Sequence, residues 1–152
     1  CTEWSNKLRG FDRVQGLHQI EGKEQHNLKE NALNLFYPHW GYELELYPRP
    51  IVVNRCKRFL NVDDAIIGHH SHVPQPVSTI DKQLVAYSLG DASFRGTSFI
   101  YKRYCFGEML KFTIGKSQQD WKIGDIQWDF LQSTFENQGE VRIVPVDNFP
   151  LL

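Results

Sequence analysis

A short apolar run, Ala65-Ile66-Ile67, is broken by Gly68 and followed at once by His69-His70-Ser71-His72-Val73-Pro74. Three of the six histidines of the chain fall within these four positions, 69 to 72. The run reads as the end of a buried strand, and glycine ends it. The histidines then sit on a loop at the carboxyl end of that strand, where a rigid scaffold commonly carries ligand and catalytic groups.

The chemistry of this loop follows from its residue types. Neutral imidazole is the commonest metal ligand and titrates near neutrality. In extended backbone a His-x-His pair turns both rings to one side. His70 and His72 have that spacing, and His69 then points the other way. A polar loop with exposed histidines is the plainer alternative. A second unit of the same kind lies upstream, in Leu33-Asn34-Leu35-Phe36-Tyr37-Pro38-His39-Trp40-Gly41. Two strand-then-histidine units in one small domain imply neighbouring strand ends that deliver imidazoles to one place. For His39 alone, packing on Trp40 is the competing reading.

Three segments carry a family resemblance. Tyr37-Pro38-His39-Trp40-Gly41-Tyr42-Glu43 resembles a His-Trp-Gly-x-Glu segment. Gly68-His69-His70-Ser71-His72-Val73 is similar to a Gly-His-His-Pro-His-Val loop, and Tyr87-Ser88-Leu89-Gly90-Asp91 to Tyr-Ser-Leu-Gly-Asn. Together, in this order, they resemble the CapA-type poly-gamma-glutamate capsule synthesis proteins, whose domain is similar to the calcineurin-like metallophosphoesterases.

The resemblance implies a mixed α/β (α+β) fold, part of a four-layer αββα sandwich with a strand-rich carboxyl-terminal third. It also implies a two-metal site. His39, His70 and His72 match metal ligands, the divalent metal being Mn, Zn or Fe. His69 stands where the wider superfamily usually has glycine, and is weighed as a catalytic proton donor to the leaving oxygen. Glu43, Asp91 and Arg95 are candidates for orienting those ligands or contacting substrate. Serine stands at 71 where the family has proline, and aspartate at 91 where it has asparagine. The family's early Gly-Asp and Asn-Glu motifs, which supply carboxylate and amide ligands, are not found. The chain therefore reads as one domain over 1–152, the carboxyl-terminal portion of a CapA-like metallophosphatase domain. Cys1 at the start in place of methionine agrees with a fragment, although a processed or lipid-modified terminus is an alternative.

Composition narrows the classes. The chain has 152 residues, 41% of them hydrophobic and 13% aromatic, which suits a globular domain with a real core. With 17 basic and 18 acidic residues, no general attraction to nucleic acid arises. No apolar run approaches the roughly 20 residues of a membrane helix. Three widely spaced cysteines form no disulfide framework, and Cys56 fits a core position.

Along the chain, Leu8, Phe11, Val14, Leu17 and Ile20 allow a helix, and 23–32 suits a short exposed one. Leu33–Tyr37 is a strand ended by Pro38, 39–50 a site loop, and Pro50 opens a helix carrying Ile51, Val52, Cys56, Phe59 and Leu60. Val77–Ile80 and Gln83–Ser88 form a hairpin about Asp81-Lys82. Glu108–Ile114 is a strand, Gly115-Lys116-Ser117 a turn, and Ile126–Gln132 with 141–146 a closing hairpin about Asn137-Gln138-Gly139. Its aromatic side is expected to pack on the core.

Three functions are weighed. The first is a capsule or polyglutamate biosynthesis and export protein of the cell envelope or extracellular face. It has a metal-dependent phosphoesterase-like site on His39, His70 and His72, acts on an anionic polymer or phosphoester, and partners the export machinery. The second is a non-catalytic envelope binding or scaffold relative with an incomplete metal site. The third is a carbohydrate module using Trp121, Trp128 and Tyr101.

Overall fold

The fold is seen in a computed structural model that describes residues 31–61, 64–92, 105–117, 120–135 and 141–147. The first element is a two-residue strand, β1 (Leu35–Phe36), shorter than its apolar run because Pro38 follows. The chain then loops to α1 (Pro50–Phe59), which has proline in its first turn and Lys57 and Arg58 in its last. Both suit a helix: proline has no amide hydrogen to waste there, and cations complement the carboxyl-terminal dipole. Val52, Cys56 and Phe59 form the buried stripe, while Ile51 faces outward.

After α1 come β2 (Ala65–Ile67), β3 (Val77–Ile80) and β4 (Gln83–Ala86). The sheet order is β1-β2-β4-β3, with β1, β2 and β4 parallel and β3 antiparallel to β4. Asp81 and Lys82 both have positive φ, as a two-residue hairpin turn requires. Ala65, Ile66, Leu84, Val85 and Ala86 are almost wholly buried, as central parallel strands demand. Phe36 packs on Phe59 with centroids 4.4 Å apart and meets Trp40 edge-on at 6.1 Å. These rings, with Cys56, Leu60, Ile66 and Tyr87, make the core between helix and sheet.

The second sheet is antiparallel, β5 (Phe106–Ser117), β6 (Asp120–Phe135) and β7 (Val141–Val146), in that order. A bulge between Lys111 and Thr113 faces Asp125, whose φ is positive. The two sheets meet at a seam. Asp91 N–H donates to Phe106 O at 3.1 Å, and Glu108 N–H to Leu89 O at 2.7 Å. Gly90 and Gly107 pair between them. A side chain at 107 would begin 2.5 Å from Asp91 O, so the seam needs glycine there.

The α+β class is therefore observed, with one helix and two sheets among the described residues. Three expectations are corrected. Gly115-Lys116-Ser117 is not a turn, because β5 runs on to Ser117. Residues in the middle of the chain's last hairpin are not uniformly core-facing: Trp128 is 48% exposed, since β6 outruns the surface it could cover. The His70–His72 backbone is not extended, with φ of 118° and 59°. The helices expected before residue 31, the Asn137-Gln138-Gly139 turn and Tyr101 lie outside the described residues. No helix among the described residues is long and apolar enough to cross a membrane.

A candidate imidazole site at the parallel strand ends

The carboxyl ends of β1, β2 and β4 lie side by side, and main-chain bonds continue past each strand. Beyond β1, His39 pairs with His69 in a parallel bridge; His69 N–H donates to Pro38 O at 3.0 Å and Trp40 N–H to His69 O at 3.1 Å. Beyond β2, Gly68 N–H donates to Ala86 O at 2.7 Å and Leu89 N–H to Gly68 O at 3.2 Å. The Trp40 indole crosses the gap and donates from Nε1 to Tyr87 O at 2.9 Å. A Cβ at position 68 would stand 2.2 Å from Tyr87 O and 2.6 Å from that Nε1, so only glycine lets the indole through.

The loop then departs from strand geometry. Ser71 is buried, its hydroxyl donating to Val73 O at 2.7 Å. The segment before α1 lies against it: Leu44 N–H donates to Ser71 O at 2.8 Å, and Gln75 Nε2 to Glu45 O at 2.7 Å. Positive φ at His70 and His72 stores strain that these bonds hold in place.

The four predicted histidines come together. The His39 ring lies 4.2 Å from that of His70 and 4.7 Å from that of His69, and His70 lies 6.2 Å from His72, centroid to centroid. His69 does not point away, because the backbone twists after it. Tyr37, 59% exposed, stacks on His69 at 4.4 Å with 22° between planes.

Burial, then neighbouring rings, lowers three of these imidazoles, His69, His70 and His39. Burial, then the neighbouring His39 and His70, lowers the His69 imidazole to about 4. His70 is lowered by burial and by His72, against the opposing charge of Glu43. His39 stands exposed at the rim, yet partial burial and the rings of His70 and His72 lower it too. Nδ1 of His69 and Nδ1 of His70 are buried without a hydrogen-bond partner.

Asp91 arrives from beyond β4. Both its carboxylate oxygens lie 3.0 Å from His72 Nδ1. Burial raises the Asp91 carboxyl, and the bond to His72 pulls it back in part. Glu43 is exposed, and its charge acts on His70 rather than on His39, the ring it was expected to orient. Arg95 lies outside the described residues.

Buried unpartnered nitrogens and neutral rings are the chemistry a divalent cation satisfies. Among the described residues, however, no three His, Cys, Asp or Glu side chains are already gathered to hold an ion. Among the described residues the four rings converge without forming a ready ligand set for one ion or for two.

Two features escaped the sequence reading. The Tyr37–His69 stack has no local signal beyond adjacency to Pro38. Glu108 carries a carboxyl that burial pushes up to about 7, with Oε2 buried and unpartnered. Its place in the alternation with Leu110 was the available signal, since that parity faces inward.

Neither the curated proteins nor the solved structures give a match. A family model does, over residues 7–95, more than half of the chain and spanning every ring of the cluster. The chain belongs to the family described as bacterial capsule synthesis protein PGA_cap.

Proposed function

We propose that this capsule synthesis protein works at the cell envelope through the imidazole cluster, acting on a phosphoester or an anionic polymer beside the export machinery. The observation that supports it is the convergence of rings from two strand ends with a carboxylate from a third, at the edge where open α/β sheets hold ligands. His39, His70 and His72 are the residues that would hold a divalent metal, whether Mn, Zn or Fe. Such an ion, when bound, polarises a phosphoryl oxygen and acidifies a water.

The chain's own residues do the rest. Asp91 accepts from His72 Nδ1, which fixes the tautomer and leaves the lone pair on Nε2. His69, held neutral by burial, is suited to accept a proton from a bound acid rather than to donate one. Glu43 supplies negative charge beside His70.

The second reading, a non-catalytic envelope scaffold, draws support from the absence of a ready-gathered ligand set among the described residues. Elemental analysis of the purified chain, beside a His70→Ala, His72→Ala double variant, separates the two. A divalent ion lost in the variant, with hydrolysis of a simple phosphodiester lost alongside, supports the enzyme. No ion after supplementation with manganese and zinc overturns it and leaves the scaffold.

A further inference from the structure

The second sheet is joined to the first through very little main chain. Among the described residues the link is the Gly90–Gly107 bridge, flanked by Asp91 N–H to Phe106 O at 3.1 Å and Glu108 N–H to Leu89 O at 2.7 Å. Glu108 therefore makes one of these bonds with its own amide. Its side chain carries a second, unmet demand, since Oε2 is buried and has no hydrogen-bond partner.

The surroundings explain why nothing answers it. Glu108 stands opposite Phe130, and its neighbours on the same face are Phe106 and Leu110 of β5 with Gln132 and Trp128 of β6. Val146 of β7 lies beyond Phe130. None of these carries a charge. Lys111 and Asp129 alternate to the opposite face and are closed on each other at 2.6 Å. On the side of the first sheet, Asp91 is the titratable group of the seam, and both its oxygens are engaged by His72 Nδ1. Cys105 precedes β5, and burial raises its thiol, so it stays uncharged near neutrality. Burial is accordingly what acts on the Glu108 carboxyl, and it pushes that group up to about 7.

A neutral carboxyl can remain in such a place. A carboxylate with a dry oxygen and no cation must reach water. Because Glu108 is tied to Leu89 by its own amide, moving its side chain into water draws β5 away from that bond. We propose that Glu108 is a proton-operated latch: protonated, it keeps the second sheet docked on the first, and ionised, it releases the bonds at Leu89 and Asp91. The latch goes beyond the imidazole chemistry and does not depend on it.

Hydrogen exchange of the purified chain, followed amide by amide by NMR from about pH 5 to about pH 8, tests this. The amides to read are those of Glu108 and Asp91 across the seam, with β4 inside the first sheet as the control. The carboxyl titrates at 4.5 when exposed and about 7 when docked. The docked state holds more protons between those values, so its stability falls as pH rises through them. Protection of the two seam amides, corrected for the intrinsic exchange rate, should fall roughly 30-fold from about pH 5 to about pH 7 and level off above, with β4 changing far less. Glu108→Gln and Glu108→Leu, neither able to ionise, should show no such fall, with far-UV circular dichroism checking that each folds. Seam protection that does not change with pH in the parent overturns the latch. The same fall in either variant overturns it by placing the titrating group elsewhere. An equal fall throughout β4 overturns it as global loss of structure rather than parting of the sheets.

Discussion

The Trp40 indole reaches Tyr87 O at 2.9 Å only by passing over Gly68, where no Cβ stands. Three strand ends are thereby clamped by one hydrogen bond and one missing side chain. Gly68→Ala should therefore cost about 2–3 kcal/mol through overpacking. Trp40→Phe should cost about 1–3 kcal/mol, since it strands a buried carbonyl. Chemical denaturation of each variant, with the slope compared to that of the parent, measures both. An unchanged midpoint for Gly68→Ala would show that the ends are not clamped.

Stability against pH should show two opposed slopes. His69 titrates at 6.5 unfolded and about 4 folded, so the native state holds fewer protons between those values and its stability falls as pH drops through them. Glu108 titrates at 4.5 unfolded and about 7 folded, so the native state holds more protons and stability falls as pH rises through that window. Each contribution is of the order of 2–3 kcal/mol. Between pH 4.5 and 6.5 they cancel. His39 and His70, also lowered, add to the His69 slope, so melts of the metal-free parent should fall on acidification there and those of Glu108→Gln should fall more steeply. A Glu108→Gln profile no steeper than the parent's would refute the compensation.

Cys56 should be inert in the folded chain. Its side chain is fully buried and burial pushes the thiol up to about 12, so almost no thiolate exists near neutrality. Peptide mapping after iodoacetamide treatment should find Cys56 unlabelled until denaturant is added. Labelling at the rate of a free thiol would mean that α1 detaches from the sheet.

Gly107→Val should damage the site from a distance. Its Cβ would meet Asp91 O at 2.5 Å and force the seam apart. Overpacking at the seam should cost about 1–3 kcal/mol of stability. Chemical denaturation beside a surface control, Trp128→Ala, checks this. The control should cost far less, since Trp128 is half exposed on β6.

Much of this was legible in the residues. The period and breakers around Ala65-Ile66-Ile67-Gly68, Asp81-Lys82 and Pro50 located β2, the β3–β4 hairpin and α1, because each boundary is enforced by local sterics. The two strand-then-histidine units foresaw that His39 and His70 lie side by side, since parallel strands put their carboxyl ends on one edge. What stayed hidden depends on contacts distant in sequence. Nothing near Gly115 reveals that β6 will extend β5 to Ser117, and nothing near Ser71 reveals that Leu44 will bind it and twist the histidines off an extended path. Glu108 was missed because a charged residue in an alternating strand is ordinarily assigned to solvent.

Asp91 belongs to two structures at once. Its amide is tied to Phe106, the first residue of the long β5–β6 ribbon, and its carboxylate is tied to His72. The ribbon is therefore a lever whose short arm is a single residue. A load on its far end is delivered, through one peptide, to the aim of one imidazole.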